Sequence, residues 1–228
     1  MNWGANLLLF GITILGGSLP LWLRPLGVKS MQLLLAFSGA FLLGMTLLHL
    51  LPESFEEMNG RAGIYILGGF FLQLLIQKFT HGAEHGHSHV GHTPGHEGHH
   101  HDVPAFSILA GLAVHAAIEG VPLGFHYRQS GTEPALYMAV AAHKIPEAMI
   151  VTSMAALIWG VRRAWLTIFL FALITPLTGS LAALLGRHYS AISQLVIVII
   201  PVVAGVFLHI ATTIFYESGT KNHHLTGR

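Results

Sequence analysis

Seven apolar runs, each close to the length of a bilayer crossing, restrict this 228-residue chain to a narrow set of folds. A transmembrane helix needs roughly 20 predominantly apolar residues, and the runs lie near 5–23, 31–51, 62–79, 105–127, 134–159, 164–186 and 191–216. Charged residues make up 9% of the chain and hydrophobic ones 53%, whereas a soluble domain is roughly 25% charged. The expected fold is therefore all-α: a polytopic membrane helical bundle of about seven transmembrane helices. The first run is read as a retained helix rather than a cleaved signal peptide, because its apolar part is long and no basic segment precedes it.

Short turns such as "RPLGVKS", "GVRRA" and "GRHYSA" join most of the runs, and one connection is long. The expected organisation is three transmembrane helices over 1–80, a histidine-rich loop over 81–104, four more helices over 105–217 and a polar tail over 218–228. Basic residues orient the bundle. Arg24, Lys29, Lys78, Arg162, Arg163, Lys221 and Arg228 fall on one side, against Arg61, Arg128 and Arg187 on the other. The richer side is expected to be cytoplasmic, which puts the N-terminus outside and the histidine-rich loop in the cytoplasm. A formal net charge of +1, without a Lys/Arg stripe, leaves no case for nucleic acid. With no cysteine in the chain, any bound metal is held by nitrogen and oxygen.

The polar residues inside the runs carry the chemistry. A charged side chain at the bilayer centre costs roughly 2.5–3.5 kcal/mol on insertion scales, so it needs a partner, water or an ion. The fifth run holds His143, Lys144, Pro146 and Glu147, and the fourth holds His115, Glu119 and Pro122. In both, histidine and glutamate are four apart, which stacks them on one face of a helix. Two antiparallel helices of this kind can close four ligands around one point. Counted from the ends of their runs at roughly 1.5 Å per residue, both pairs lie about 15 Å into a core of about 30 Å. Pro122 and Pro146 are expected to kink their helices and free a carbonyl beside each pair. Imidazole and carboxylate together suit Zn²⁺ best, with Fe²⁺, Mn²⁺, Co²⁺ or Cd²⁺ as alternatives. The plainer account is hydrogen bonding between helices; two pairs of identical spacing at matching depth favour a metal site.

"HAAIEG" followed by "HKIPE" resembles the paired fourth- and fifth-span motifs of the ZIP (Zrt/Irt-like) family of divalent-metal transporters. "LHLLPES" closing the second run, the histidine-rich loop and "TPLTG" in the sixth run extend the resemblance from about residue 33 to 217. It implies transport of Zn²⁺ or a related ion towards the cytoplasm, with His115, Glu119, His143 and Glu147 as ligands; a midplane site between related halves is expected to work by alternating access. The ion is then the transported substrate, and no organic cofactor is expected. The lipid bilayer and divalent metal ions are the expected partners, a homodimer is left open, and the plasma membrane is the expected location.

Three positions depart from family members with a two-metal site: Ala116, Lys144 and Thr175 stand where those members carry second-site ligands. One metal is therefore expected, with the Lys144 ammonium in the vacant position, paired with Glu147. The family usually has eight spans, so a chain of seven is either a piece or a short member. "LLHLLPES" and "FLHIATTIFYES" look like related halves of an inverted repeat.

The loop histidines, His81, His85, His87, His89, His92, His96, His99, His100 and His101, sit among glycine and proline and read as a disordered loop. Their irregular spacing suits a weak, multi-site metal store, against the plainer alternative of a solvated linker. His49, with Glu53 beyond it, reads as an entrance that attracts cations or, equally, as part of a solvated outer loop. His209 is a candidate for the same pathway, with a hydrogen-bonded interior histidine the better reading. Two other functions compete with transport: a membrane-embedded zinc hydrolase, which needs an open coordination position and a spare base, and a metal sensor that does not transport. The four ligands form two equivalent pairs and leave nothing over for catalysis. An exporter of the cation-diffusion type would favour Asp/His ligands and a cytoplasmic domain, and neither is present. Deleting residues 81–101 should preserve transport and abolish extra weak metal binding; equal metal stoichiometry of the two forms in equilibrium dialysis would reduce the loop to a linker.

Overall fold

The computed structural model describes residues 2–23, 27–80, 105–125, 131–188 and 190–220. The histidine-rich loop and the tail beyond residue 220 lie outside the described residues. Among the described residues the elements are helical: α1 (Trp3–Trp22), α2 (Val28–Met45), α3 (Leu51–Met58), α4 (Ala62–Thr80), α5 (Ala105–Gly120), α6 (Thr132–Trp159), α7 (Val161–His188) and α8 (Ser190–Thr220). They follow the seven apolar runs closely.

Local chemistry sets the ends. Asn2 caps α1, its side-chain oxygen accepting from the Ala5 N–H at 3.1 Å. α6 stops at Gly160, whose φ of 82° suits a residue without Cβ. The second run departs from expectation at its far end. Instead of ending near residue 51, α2 passes through a π-helical turn at Thr46–Leu50 and continues as α3 to Met58. The helix then breaks at Asn59, with φ 52°. Both α2 and α4 pack along α8, which at roughly 1.5 Å per residue is about 46 Å long, so the chain must fold back at this break.

The prolines behave unequally. Pro146 lies within an uninterrupted α6. Pro122 ends its helix instead of kinking it: α5 stops at Gly120 and tightens into a 3₁₀ turn over Val121–Gly124. A proline at the start of that turn has no N–H to lose from the helical ladder.

By length and apolarity alone, Trp3–Trp22, Lys29–Lys78, Val161–Gly186 and Ile197–Tyr216 could each cross a bilayer, the second as the pair of rods described above. The side chains are distributed for lipid. Leu7, Leu8, Leu15, Leu33, Phe71, Leu166 and Leu177 face outward, while Asn6, Thr13, Ser38, Thr46, Gln73 and Thr152 are buried. Several of the buried hydroxyls bond back to their own helix, Thr13 to the Leu9 carbonyl at 2.8 Å and Thr46 to that of Leu42 at 2.7 Å. Such bonds satisfy polar atoms where no water can.

Two apolar clusters organise the packing. One joins α1, α2, α6 and α8 through Leu9, Leu42, Leu136, Val140, Phe207 and Ile210. The other joins α5, α6 and α7 through Leu112, Ala116, Ala148, Val151, Ile168 and Phe171. Small residues allow the closest approaches. A Cβ at Gly69 would collide with the Val202 carbonyl of α8, and one at Gly205 with the Ile66 carbonyl of α4. Gly44 and Gly68, by contrast, face open space. Gly205→Ala should therefore destabilise the bundle by about 1–3 kcal/mol, the usual cost of overpacking a tight contact. Gly44→Ala should not. Thermal unfolding of the two variants in detergent tests the contrast, and equal melting would show that α4 and α8 tolerate separation.

Candidate metal centre

The paired spacing on α5 and α6 produces a single cluster. One ligand atom from each of His115, Glu119, His143 and Glu147 lies within 4.8 Å of all the others. None of the four side chains is more than 1% exposed. Nε2 of His115 is 3.1 Å from Oε1 of Glu119 and 3.9 Å from Oε1 of Glu147, and Nε2 of His143 is 3.8 Å from Oε1 of Glu119. The two imidazole rings meet edge to face, centroids 5.8 Å apart. Two nitrogens and two carboxylate oxygens thus converge on one point.

Lys144 closes the opposite side. Its Nζ lies 2.6 Å from Oε2 of Glu119 and 2.5 Å from Oε2 of Glu147. The pairing with Glu147 follows from a separation of three on one helix. The pairing with Glu119 crosses from α6 to α5, which no local pattern reveals. Lys144 is itself 1% exposed, so its stem does not carry the charge out to water. The Nζ lies 5.2 Å from the centroid of the Phe171 ring on α7, a cation–π distance. Phe171 is a site residue that the sequence does not announce, being one aromatic among thirteen phenylalanines.

The two other departures from the two-metal pattern are occupied by packing. Thr175 Oγ1 on α7 donates to the Ala116 carbonyl at 3.1 Å, within the buried α5–α7 contact. Gly120 permits that contact, since a Cβ there would run into Thr178 Oγ1 and the Thr175 carbonyl. α5 is thereby seated against α7 at the level of its His115/Glu119 pair.

Within the described residues, His143 Nδ1 and Glu147 Oε1 are buried without a hydrogen-bond partner. Buried polar atoms are ordinarily satisfied, and leaving one unmade costs roughly 1–3 kcal/mol. A cation at the cluster would engage Glu147 Oε1 directly. Mixed imidazole and carboxylate donors suit a first-row transition ion, Zn²⁺ above all, whereas Ca²⁺ and Mg²⁺ prefer oxygen alone.

His49, Glu53 and His209 are not members of this cluster. His49 lies in the π-helical turn, near Gly131 at the start of α6. Glu53 is 2% exposed and accepts from Thr132 Oγ1 at 3.4 Å. His209 is held by Gln77 of α4, Nε2 to Oε1 at 2.7 Å, with its ring edge-on to Phe70 at 4.7 Å. That is the geometry of an interior histidine that ties two helices together.

A search of curated proteins found no match. The family model described as ZIP zinc transporter matches residues 1–105 and 81–217, which together span 1–217. With that match running over nearly all of an apolar, polytopic bundle whose two paired motifs meet in one buried cluster, the chain belongs to the ZIP zinc transporter family, integral membrane proteins that carry divalent metal ions.

Proposed function

We propose that the protein carries Zn²⁺ towards the cytoplasm, one ion at a time, through a site made by His115, Glu119, His143 and Glu147. The observation that carries this reading is the convergence of those four side chains from two helices into one fully buried cluster. Fe²⁺, Mn²⁺, Co²⁺ and Cd²⁺ are weaker candidates on donor chemistry. The plasma membrane is the proposed location, with the N-terminus outside. The proposed organisation keeps helices over 1–80 and 105–217 as the transport body, 81–104 as a cytoplasmic loop that collects metal, and 218–228 as a tail. His49 and Glu53 are proposed as an outer station on the way to the site, and Glu53 beside the start of α6 supports it.

A single ion is supported by Lys144. A second cation beside Glu119 and Glu147 would have to displace an ammonium that contacts both carboxylates. Ala116 offers no ligand, and the Thr175 hydroxyl is engaged with a backbone carbonyl.

Alternating access is supported by burial. Side chains at most 1% exposed reach neither surface in this conformation, so release requires parts of the bundle to move. The packing suggests which parts. α5, α6 and α7 share one apolar cluster, with Ile14 of α1 against it, while α4 and α8 meet backbone to backbone at Gly69 and Gly205. A body of α1, α5, α6 and α7 would carry the site intact if it slid across the apolar cluster that α1 and α6 share with α2 and α8, and related inverted halves supply two matching conformations.

His143→Ala and Glu147→Ala should each abolish uptake of labelled Zn²⁺ into proteoliposomes while leaving insertion and folding intact. Normal uptake by both variants would show that the ion passes elsewhere. Crystals soaked in metal should show one anomalous peak at the cluster; two peaks about 4 Å apart, the usual spacing of paired metal sites, would refute the single-ion reading.

A further inference from the structure

We propose that Lys144 sets the metal preference of the site, by leaving each of the two carboxylates a single free oxygen. The inference rests on the reading of His115, Glu119, His143 and Glu147 as ligands, and concerns a residue outside that set. It comes from a partition of oxygens. Both contacts of the ammonium run to Oε2, at 2.6 Å on Glu119 and 2.5 Å on Glu147. The histidine contacts run to Oε1, at 3.1 and 3.8 Å on Glu119 and at 3.9 Å on Glu147. Each carboxylate thus turns one oxygen to the ammonium and the other to the imidazoles.

Coordination number follows from this partition. A carboxylate that chelates a cation uses both oxygens, which would bring the divalent ion against the ammonium. With both Oε2 atoms held, the site presents two imidazole nitrogens and two Oε1 atoms, four donors in all. Four nitrogen and oxygen donors make the tetrahedral set of Zn²⁺. Mn²⁺ favours octahedral, oxygen-rich sites, and in this site it loses the two extra oxygens that chelation would supply. Lys144 is then a positioning residue: it acts on the ion through the carboxylates and never touches it.

The ammonium is well placed to hold this arrangement. Its own helix supplies Glu147 three residues on, α5 supplies Glu119, and α7 supplies the Phe171 ring at 5.2 Å. Three helices therefore locate one charge, and a buried position denies it an alternative partner in water.

The full-length protein tests this with Zn²⁺ and Mn²⁺ as separate probes. X-ray absorption of the zinc-loaded wild type should count four nitrogen or oxygen neighbours; a shell of five or six would overturn the proposal without any variant. Lys144→Met removes the charge and the donors while keeping the length. Losing a positive charge strengthens binding of both ions, so the readout is their ratio. The preference for Zn²⁺ over Mn²⁺ should fall roughly tenfold or more, the scale on which groups that support metal ligands act, and the coordination number should rise. Lys144→Arg, which still offers donors to both Oε2 atoms, should keep the wild-type ratio. An unchanged ratio in Lys144→Met sinks the proposal. If His143→Ala binds Zn²⁺ as the wild type does, the failure lies instead in the ligand assignment.

Discussion

Two carboxylates in an apolar bundle, Glu119 and Glu147, set the terms for everything packed around them. A single charge at the bilayer centre costs roughly 2.5–3.5 kcal/mol on insertion scales, and here two are brought to one place. Lys144 offsets one of them. Two carboxylates against one ammonium leave one net negative charge, and a bound divalent cation turns that into one net positive charge. Neither state confronts the low-dielectric interior with two uncompensated charges. The single lysine thus holds the empty and loaded forms to one net charge each, which suits the proposed alternating-access cycle between them. Removing the ammonium would leave both carboxylates uncompensated, and breaking a buried pair in that way typically costs about 3–5 kcal/mol.

Holding that cluster dry demands apolar side chains both on the lipid-facing surface and in the core. Leucines and phenylalanines cover the outside, where lipid accepts them, and the interior sets alanine, threonine and serine among large apolar side chains such as Leu42, Ile168 and Phe207. Between helices in lipid the hydrophobic effect gives little net attraction, so close packing has to hold the bundle together. The approach of α5 to α7 at Gly120 and of α4 to α8 at Gly69 and Gly205 answers this need. The buried hydroxyls of Thr13, Ser38 and Thr46 turn back on their own helices and find their hydrogen bonds there. The chemistry at the centre and the small residues around it are parts of one solution.

Much of this was legible from local patterns. Except at the far end of the second, the apolar runs marked the helices to within a few residues, because a span of lipid imposes a length and a composition that few other segments share. The four candidate ligands were legible from a separation of four, repeated in adjacent runs, since helical geometry converts that separation into a shared face. Where reading failed, a local rule had several outcomes. Pro122 and Pro146 look alike in sequence, yet one ends a helix and the other sits inside one. Gly44 and Gly68 look like Gly69, but only Gly69 meets a neighbouring backbone.

The sequence by itself determined that the chain is a membrane bundle, that α5 and α6 each carry a His/Glu stripe, and that a lysine stands where a second set of ligands would. Those properties depend on composition and on spacing within one helix, and both are written along the chain. Only the tertiary structure decided that Lys144 reaches Glu119 as well as Glu147, that Phe171 lies beneath the ammonium, that Thr175 is committed to the Ala116 carbonyl and that His209 belongs to Gln77. Each of these is a contact between different helices. The rotation and depth of one helix against another are set by the packing of whole faces, which no spacing within a single segment encodes.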